Sequence, residues 1–186
     1  MRCLLALRTT NGRVLWSDTL TAARQLEGLS NFSDIRGMPV IDRGLVLAIS
    51  FGGRMNAIDM QSGSRIWSKR IGGVQMPWVA GDFIFVVSND NELVALLRDN
   101  GAIRWVRPLQ KWTDEDQEER VAWSGPILAN GQLILVNQIG QMVFISAKDG
   151  TINQTFNIGA SLRTLPIIAQ NTLFILDENG SLRAWR

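Results

Sequence analysis

Between Pro39 and Gly73 the chain alternates short apolar runs with glycine-bearing turns. Pro39-Val40-Ile41 leads to Asp42-Arg43-Gly44, and Leu45 to Ile49 runs apolar to Phe51-Gly52-Gly53. Met55 to Asp59 then leads to Gln61-Ser62-Gly63, and Arg65-Ile66-Trp67 closes the phrase. Short runs bounded by such turns predict four β-strands. The phrase recurs along the chain.

The turn glycine before the last strand recurs as Gly12, Gly63, Gly101 and Gly150. A tryptophan stands four residues after it three times, as Trp16, Trp67 and Trp105, and Gln154 takes that place in the last unit. The starts keep step: Pro39, Pro77, Pro126 and Pro166 each precede an apolar pair and a turn with Gly44, Gly81, Gly131 or Asn171. A period of roughly 40–50 residues lies in the range of propeller blades. The second strands, Leu45 to Ile49, Phe83 to Val87, Leu133 to Val136 and Leu173 to Leu176, are nearly continuous apolar runs. Alternation would leave one face wet, whereas a continuous run predicts cover on both faces, as in radially stacked sheets.

The expected fold is therefore all-β, a β-propeller of four-stranded blades. The expected organisation is one partial propeller domain over residues 1–186. It has a partial blade at 1–16, blades at 38–72, 76–109 and 123–159, and a partial blade at 160–186. The recurring tryptophans read as plates between blades, because their phase with the turn glycine is fixed and large aromatics dominate core packing. Two segments break the pattern. Ser17 to Ile35 is a polar connection with a short helical turn expected at Thr21 to Leu26. Arg107 to Trp123 carries Asp114, Glu115, Asp116, Glu118 and Glu119, with Thr113 placed to cap a short helix. This acidic run reads as a solvated loop; its functional reading is a partner-docking or cation-binding loop.

Composition removes several chemistries. Histidine is absent and Cys3 is the single cysteine. No Ser-His-Asp triad, His-ligated zinc, CxxC pair or intrachain disulfide can be built within the chain. The net charge of +2 comes from 19 basic and 17 acidic residues that are scattered, so no nucleic-acid patch is expected. The apolar start at Met1 to Leu7 resembles a signal peptide but reads better as a third-strand signature, with Leu5-Ala6-Leu7 matching Asn56-Ala57-Ile58. No stretch approaches the roughly 20 apolar residues of a membrane-spanning helix.

The phrase of Gly, apolar strand, Ala-Ile-Asp, Ser-Gly and Ile-Trp resembles the PQQ-type propeller repeat. The order of units is similar to the C-terminal half of the BamB family of outer-membrane assembly lipoproteins. The most specific parts are Phe32-Ser33-Asp34 ahead of Met38-Pro39-Val40, the unit Gly44 to Trp67, and the ending Gly180-Ser181-Leu182. The resemblance implies an eight-bladed propeller, of which this chain would hold about four blades. It implies a periplasmic, lipid-anchored scaffold without catalysis or cofactor, binding the periplasmic domains of the barrel-inserting subunit. One family contact is a loop with two Asp residues just before a blade proline, which implies a partner site at Ser33, Asp34 and Arg36. Asp34 matches the first Asp, and Arg36 reverses the second charge. A second family contact, a Leu/Arg patch, would lie upstream of Met1.

Two other readings stand beside this one. A fragment of a PQQ-dependent quinoprotein dehydrogenase would need calcium, clustered carboxylates and a vicinal disulfide, which a single cysteine excludes. The nearest calcium-like phrases, Asn89-Asp90-Asn91 and Asp177-Glu178-Asn179-Gly180, fall at turns that need no metal. A cytosolic propeller used for protein interaction is the third reading, weakened by a start that falls inside a blade. A half-ring would leave apolar strands such as Val14-Leu15 and Leu173 to Leu176 open, so self-association or poor solubility is expected.

Overall fold

The computed structural model describes residues 3–20 and 37–186. Among these there is no helix, and five antiparallel sheets follow one another along the chain. The first holds β1 (Leu4–Leu7) and β2 (Val14–Asp18). The second holds β3 (Val40–Asp42), β4 (Leu45–Ser50), β5 (Arg54–Asp59) and β6 (Arg65–Lys69) in sequential order. The third holds β7 (Trp78–Ala80), β8 (Phe83–Val87), β9 (Glu92–Leu97) and β10 (Ile103–Pro108). The fourth holds β11 (Trp123–Ala129), β12 (Gln132–Asn137), β13 (Gln141–Ser146) and β14 (Ile152–Asn157). The last holds β15 (Ile167–Ala169), β16 (Thr172–Leu176) and β17 (Leu182–Trp185). Each sheet is a meander, because turns of two to six residues can join only antiparallel neighbours.

The continuous apolar strands behave as their pattern dictates. Leu47 and Ala48 on β4 are both fully buried, as are Leu135 and Val136 on β12, so successive residues on opposite faces are covered alike. The chain divides into two compact units, Met1–Ile84 with Leu97–Ala102, and Phe85–Leu96 with Ile103–Arg186. The first unit buries Leu47, Ile49, Met55 and Ile58; the second buries Phe85, Leu93, Leu96, Leu133, Leu135 and Ile145.

The pairing of third and fourth strands carries a repeated irregularity. Ala6 faces Trp16 while Leu7 faces Val14, so Leu15 is left over. Ala57 faces Trp67 while Ile58 faces Arg65, and Ile66 is left over. Ala95 faces Trp105 while Leu96 faces Ile103, and Arg104 is left over. Phe144 faces Gln154 while Ile145 faces Ile152, and Asn153 is left over. One extra residue in one strand is a β-bulge, which increases local twist and re-aims the next side chain. Here the next side chain is the tryptophan or its substitute.

The aim is specific. Trp16 lies on Gly63, Trp67 on Gly101 and Trp105 on Gly150, so close that a Cβ on those glycines would fall 2.5, 2.8 and 2.7 Å from the indole. Each indole N–H donates to the carbonyl three residues before that glycine: Met60 at 2.9 Å, Arg98 at 2.8 Å and Ala147 at 3.2 Å. Only glycine leaves room for the plate, and its positive φ (74°, 65° and 74°) closes the turn beneath it. The tryptophans are thus packing plates with a satisfied N–H.

The expectation of a helix capped by Thr113 is corrected. Residues 109–122 form a strandless arch with a single bridge between Trp112 and Arg120. Thr113 donates its backbone N–H to the Glu119 carbonyl at 3.0 Å, closing the arch instead of capping a helix.

Candidate functional site

In a meander, the turn between second and third strands and the connections between sheets lie at the end opposite the tryptophan-bearing turns. Asp18 and Gly37, which flank the connection from β2 to β3, lie at that end, and the sequence between them includes the expected partner residues Ser33, Asp34 and Arg36. These three, and the turn expected at Thr21 to Leu26, lie outside the described residues. What the structure shows is how both ends of that connection are held.

At the leading end, Asp18 is buried and its carboxylate is crowded with donors. Arg65 donates from Nε to Oδ2 and from Nη2 to Oδ1 at 2.9 Å, the Leu20 N–H donates at 2.7 Å, and the Asn56 amide at 3.3 Å. Asn56 in turn accepts from the Ser68 hydroxyl at 2.7 Å, and that hydroxyl accepts from Arg54 at 2.8 Å. Burial alone would raise the Asp18 carboxyl; the bonds from Arg65, Leu20 and Asn56 outweigh it and hold its pKa below the ordinary value of 3.8. The same pairing raises the pKa of the Arg65 guanidinium.

At the trailing end, Gly37 is buried, and a Cβ there would fall 2.7 Å from the Gln75 carbonyl oxygen and 3.3 Å from Ile49. No other residue fits so close to backbone, so the chain enters β3 at a fixed place. Beyond it Met38 and Ile41 are strongly exposed, and Pro39 to Asp42 line a groove of about 460 Å³ with Met76, Pro77, Trp78 and Val79. The rim is ionic. Arg98, 12% exposed, reaches Asp99 at 3.1 Å and Asp42 at 3.5 Å, and Arg43 reaches Asp82 at 3.4 Å.

The acidic arch is held just as firmly at its base. The Asn91 side-chain amide donates to the Gln110 and Val121 carbonyls at 3.0 and 2.8 Å, and the Asn91 backbone carbonyl accepts from the Leu109 N–H at 2.9 Å. Arg120 lies over the Trp112 ring at 5.4 Å and donates to the Asn89 carbonyl at 2.7 Å. Gln138 accepts from the Ala122 N–H and donates to the Arg120 carbonyl at 2.9 Å. Asp114 to Glu119 are exposed at the tip.

The calcium-like phrases are occupied by turn geometry. Asn91 has a φ of 56° and spends its amide on the arch. The buried Asp177 accepts from the Asn179 and Ser181 N–H groups at 3.0 and 2.9 Å. Among the described residues no three His, Cys, Asp or Glu side chains are grouped to hold a metal ion.

The sequence missed two features of this end: the Asp18–Arg65 lock and the Asn91 clamp. Their only signals were an acidic residue after Trp16 and an Asn in a turn, and neither pairing is local.

Comparison with known proteins places this arrangement. Residues 3–107 match the family described as outer membrane protein assembly factor BamB. The BamB of Salmonella typhimurium is 28% identical over 180 residues, covering 96% of this chain and 44% of that protein. The chain thus spans less than half the length of that curated relative. The crystal structure of BamB from Moraxella catarrhalis superposes with a TM-score of 0.77 at 21% identity, over 99% of this chain and 51% of that one. Quinohemoprotein alcohol dehydrogenase from Comamonas testosteroni shares the fold alone, with a TM-score of 0.62 at 15% identity over 77% of this chain. The sheets are β-propeller blades with PQQ-like repeats, and the match spans more than half of the chain. By that match, this chain belongs to the outer membrane protein assembly factor BamB family.

Proposed function

We propose that this chain is a non-catalytic scaffold of the outer-membrane β-barrel assembly machinery, acting on the periplasmic face of that membrane. Its partner is the set of periplasmic domains of the barrel-inserting subunit. The observation that carries this reading is the family match over residues 3–107, which includes the connection from β2 to β3. Relatives across that match are named assembly factors. Loops on a rigid scaffold suit protein binding, and this connection leaves from the locked Asp18 and returns at the close-packed Gly37.

Ser33 and Asp34 supply the contact, and Arg36 sets its charge. Co-precipitation with purified periplasmic domains of the subunit tests the proposal. Asp34→Arg lowers affinity about 5-fold and Arg36→Asp raises it by a similar factor, as expected for one rim charge. Absence of binding by a full-length version of the protein overturns the proposal.

A further inference from the structure

Among the described sheets, the last strand of each is guarded except one. An edge strand presents unpaired N–H and C=O groups, and charges or proline on it discourage pairing with another chain. Asp18 ends β2, and Arg65 and Lys69 bound β6. Arg104, Arg107 and Pro108 stand on β10, and Arg183 stands on β17. β14 reads Ile152-Asn153-Gln154-Thr155-Phe156-Asn157, with no charge and no proline, and every residue on it is exposed. Phe156 stays 45% exposed beside Phe144.

The backbone of β14 is set for pairing on that edge. Just past its end, the Ile158 N–H donates toward β13, to the Gly140 carbonyl at 2.7 Å. Backbone groups alternate in direction along a strand, so Gln154 and Phe156 also turn theirs toward β13, and Thr155 and Asn157 turn theirs away from the sheet. The side chains of Gln154 and Phe156 share one face, that of Phe144 and Met142.

We propose that β14 pairs antiparallel with β14 of a second copy of this chain, about a two-fold axis normal to the sheet. Two four-stranded sheets then become one. Under that symmetry opposite residues share a face, and Thr155 lies on the axis against its own copy. Asn153 stands opposite Asn157, and Gln154 stands opposite Phe156 and covers the open side of its ring. A two-fold contact sets a strand against itself, which favours a strand without charge. The same operation on β6 sets Arg65 opposite Lys69, and on β10 it brings Arg104 and Arg107 beside their copies, where like charges repel. A foreign strand is selected by complementary charge, and β14 offers none to select by. That difference is what commits the edge to a second copy.

The test is sedimentation of the full chain together with position-specific cross-linking. One strand pair is a small interface, so a monomer–dimer equilibrium with a dissociation constant of about 100 μM is expected. Thr155→Lys sets two ammonium groups together at the axis and weakens the dimer at least about 10-fold, with far-ultraviolet circular dichroism unchanged. Thr155→Val keeps a strand-forming side chain without charge and retains the dimer. For cross-linking, Cys3→Ser removes the single cysteine, and a short bis-maleimide is applied to Thr155→Cys in that background. Val106→Cys, exposed on the guarded β10, is the control and gives about 10-fold less linked dimer. The inference is overturned by a monomer throughout the concentration range, by association that survives Thr155→Lys, or by equal linking at 155 and 106. None of these outcomes involves the barrel-inserting subunit, so the scaffold proposal stands or falls separately.

Discussion

The outer strands β10 and β14 start from the same design and end differently. Both pair antiparallel with a third strand, and both carry the one-residue bulge. On β10 the bulge aims Trp105 at Gly150, and Arg107 adds a bond to the Gly150 carbonyl. On β14 it aims Gln154, and all six residues of the strand are exposed. The facing third-strand residue changes with it. Ala95 opposite Trp105 becomes Phe144 opposite Gln154, and Phe144 meets Phe156 edge-on at 5.7 Å. Strand and bulge therefore form without an indole. What the indole adds is attachment of one sheet to the turn of another.

The largest expected effect comes from making β10 like β14. Trp105→Gln removes the plate and its hydrogen bond and costs about 3 kcal/mol in urea unfolding. The strand pairing survives, so far-ultraviolet circular dichroism of the folded protein stays the same. A loss below about 0.5 kcal/mol would show that the indole is ornamental.

Gly150→Ala attacks the same junction from the receiving side. The added methyl meets the indole and adopts an unfavourable positive φ, at a cost of about 2 kcal/mol. In the Trp105→Gln background the collision is gone and only backbone strain of about 1 kcal/mol remains. Additive effects in this double-mutant cycle would separate the two residues and break the comparison.

Acid separates the indole junctions from the Asp18 lock. The Asp18 pKa is depressed in the folded state, so its stabilisation is fully present above the ordinary carboxylate value of 3.8 and is lost as pH falls through the lower folded value. The loss is about 1 kcal/mol, because the Arg65 side chain is 38% exposed and water screens the pair. Asp18→Asn flattens that dependence below about pH 4, whereas Trp105→Gln leaves it intact, since an indole–carbonyl pair does not titrate there. Unfolding followed against pH for both variants checks the assignment.

The smallest effect is expected from Gln154→Trp. With no turn glycine set against it among the described residues, the new ring finds no seat, and stability changes by less than about 0.5 kcal/mol. A gain comparable to the loss in Trp105→Gln would mean that β14 already faces a receiving turn.

Much of this was legible in the chain itself. Turn glycines with positive φ, apolar second strands and a tryptophan at constant offset are local or periodic signals, and the strands lie where those signals put them. The bulge was not visible, because it is a property of pairing and not of either strand. The arch at 109–122 misled for a related reason. Thr113 followed by acidic residues is a local helix signal, but Asn91 and Gln138, distant in sequence, hold the base in another shape. At the expected partner site, Ser33, Asp34 and Arg36 rest on resemblance, and the structure adds the anchors at Asp18 and Gly37 on either side.

The repeated indole-on-glycine seat has a consequence for observing the molecule. The chain has seven tryptophans and no tyrosine, so near-ultraviolet emission comes from indoles alone. Three of those indoles share one environment, a ring against a glycine with its N–H held by a carbonyl at a fixed offset. Their emission is a built-in optical gauge of whether neighbouring sheets remain joined, readable one seat at a time by replacing the other six rings.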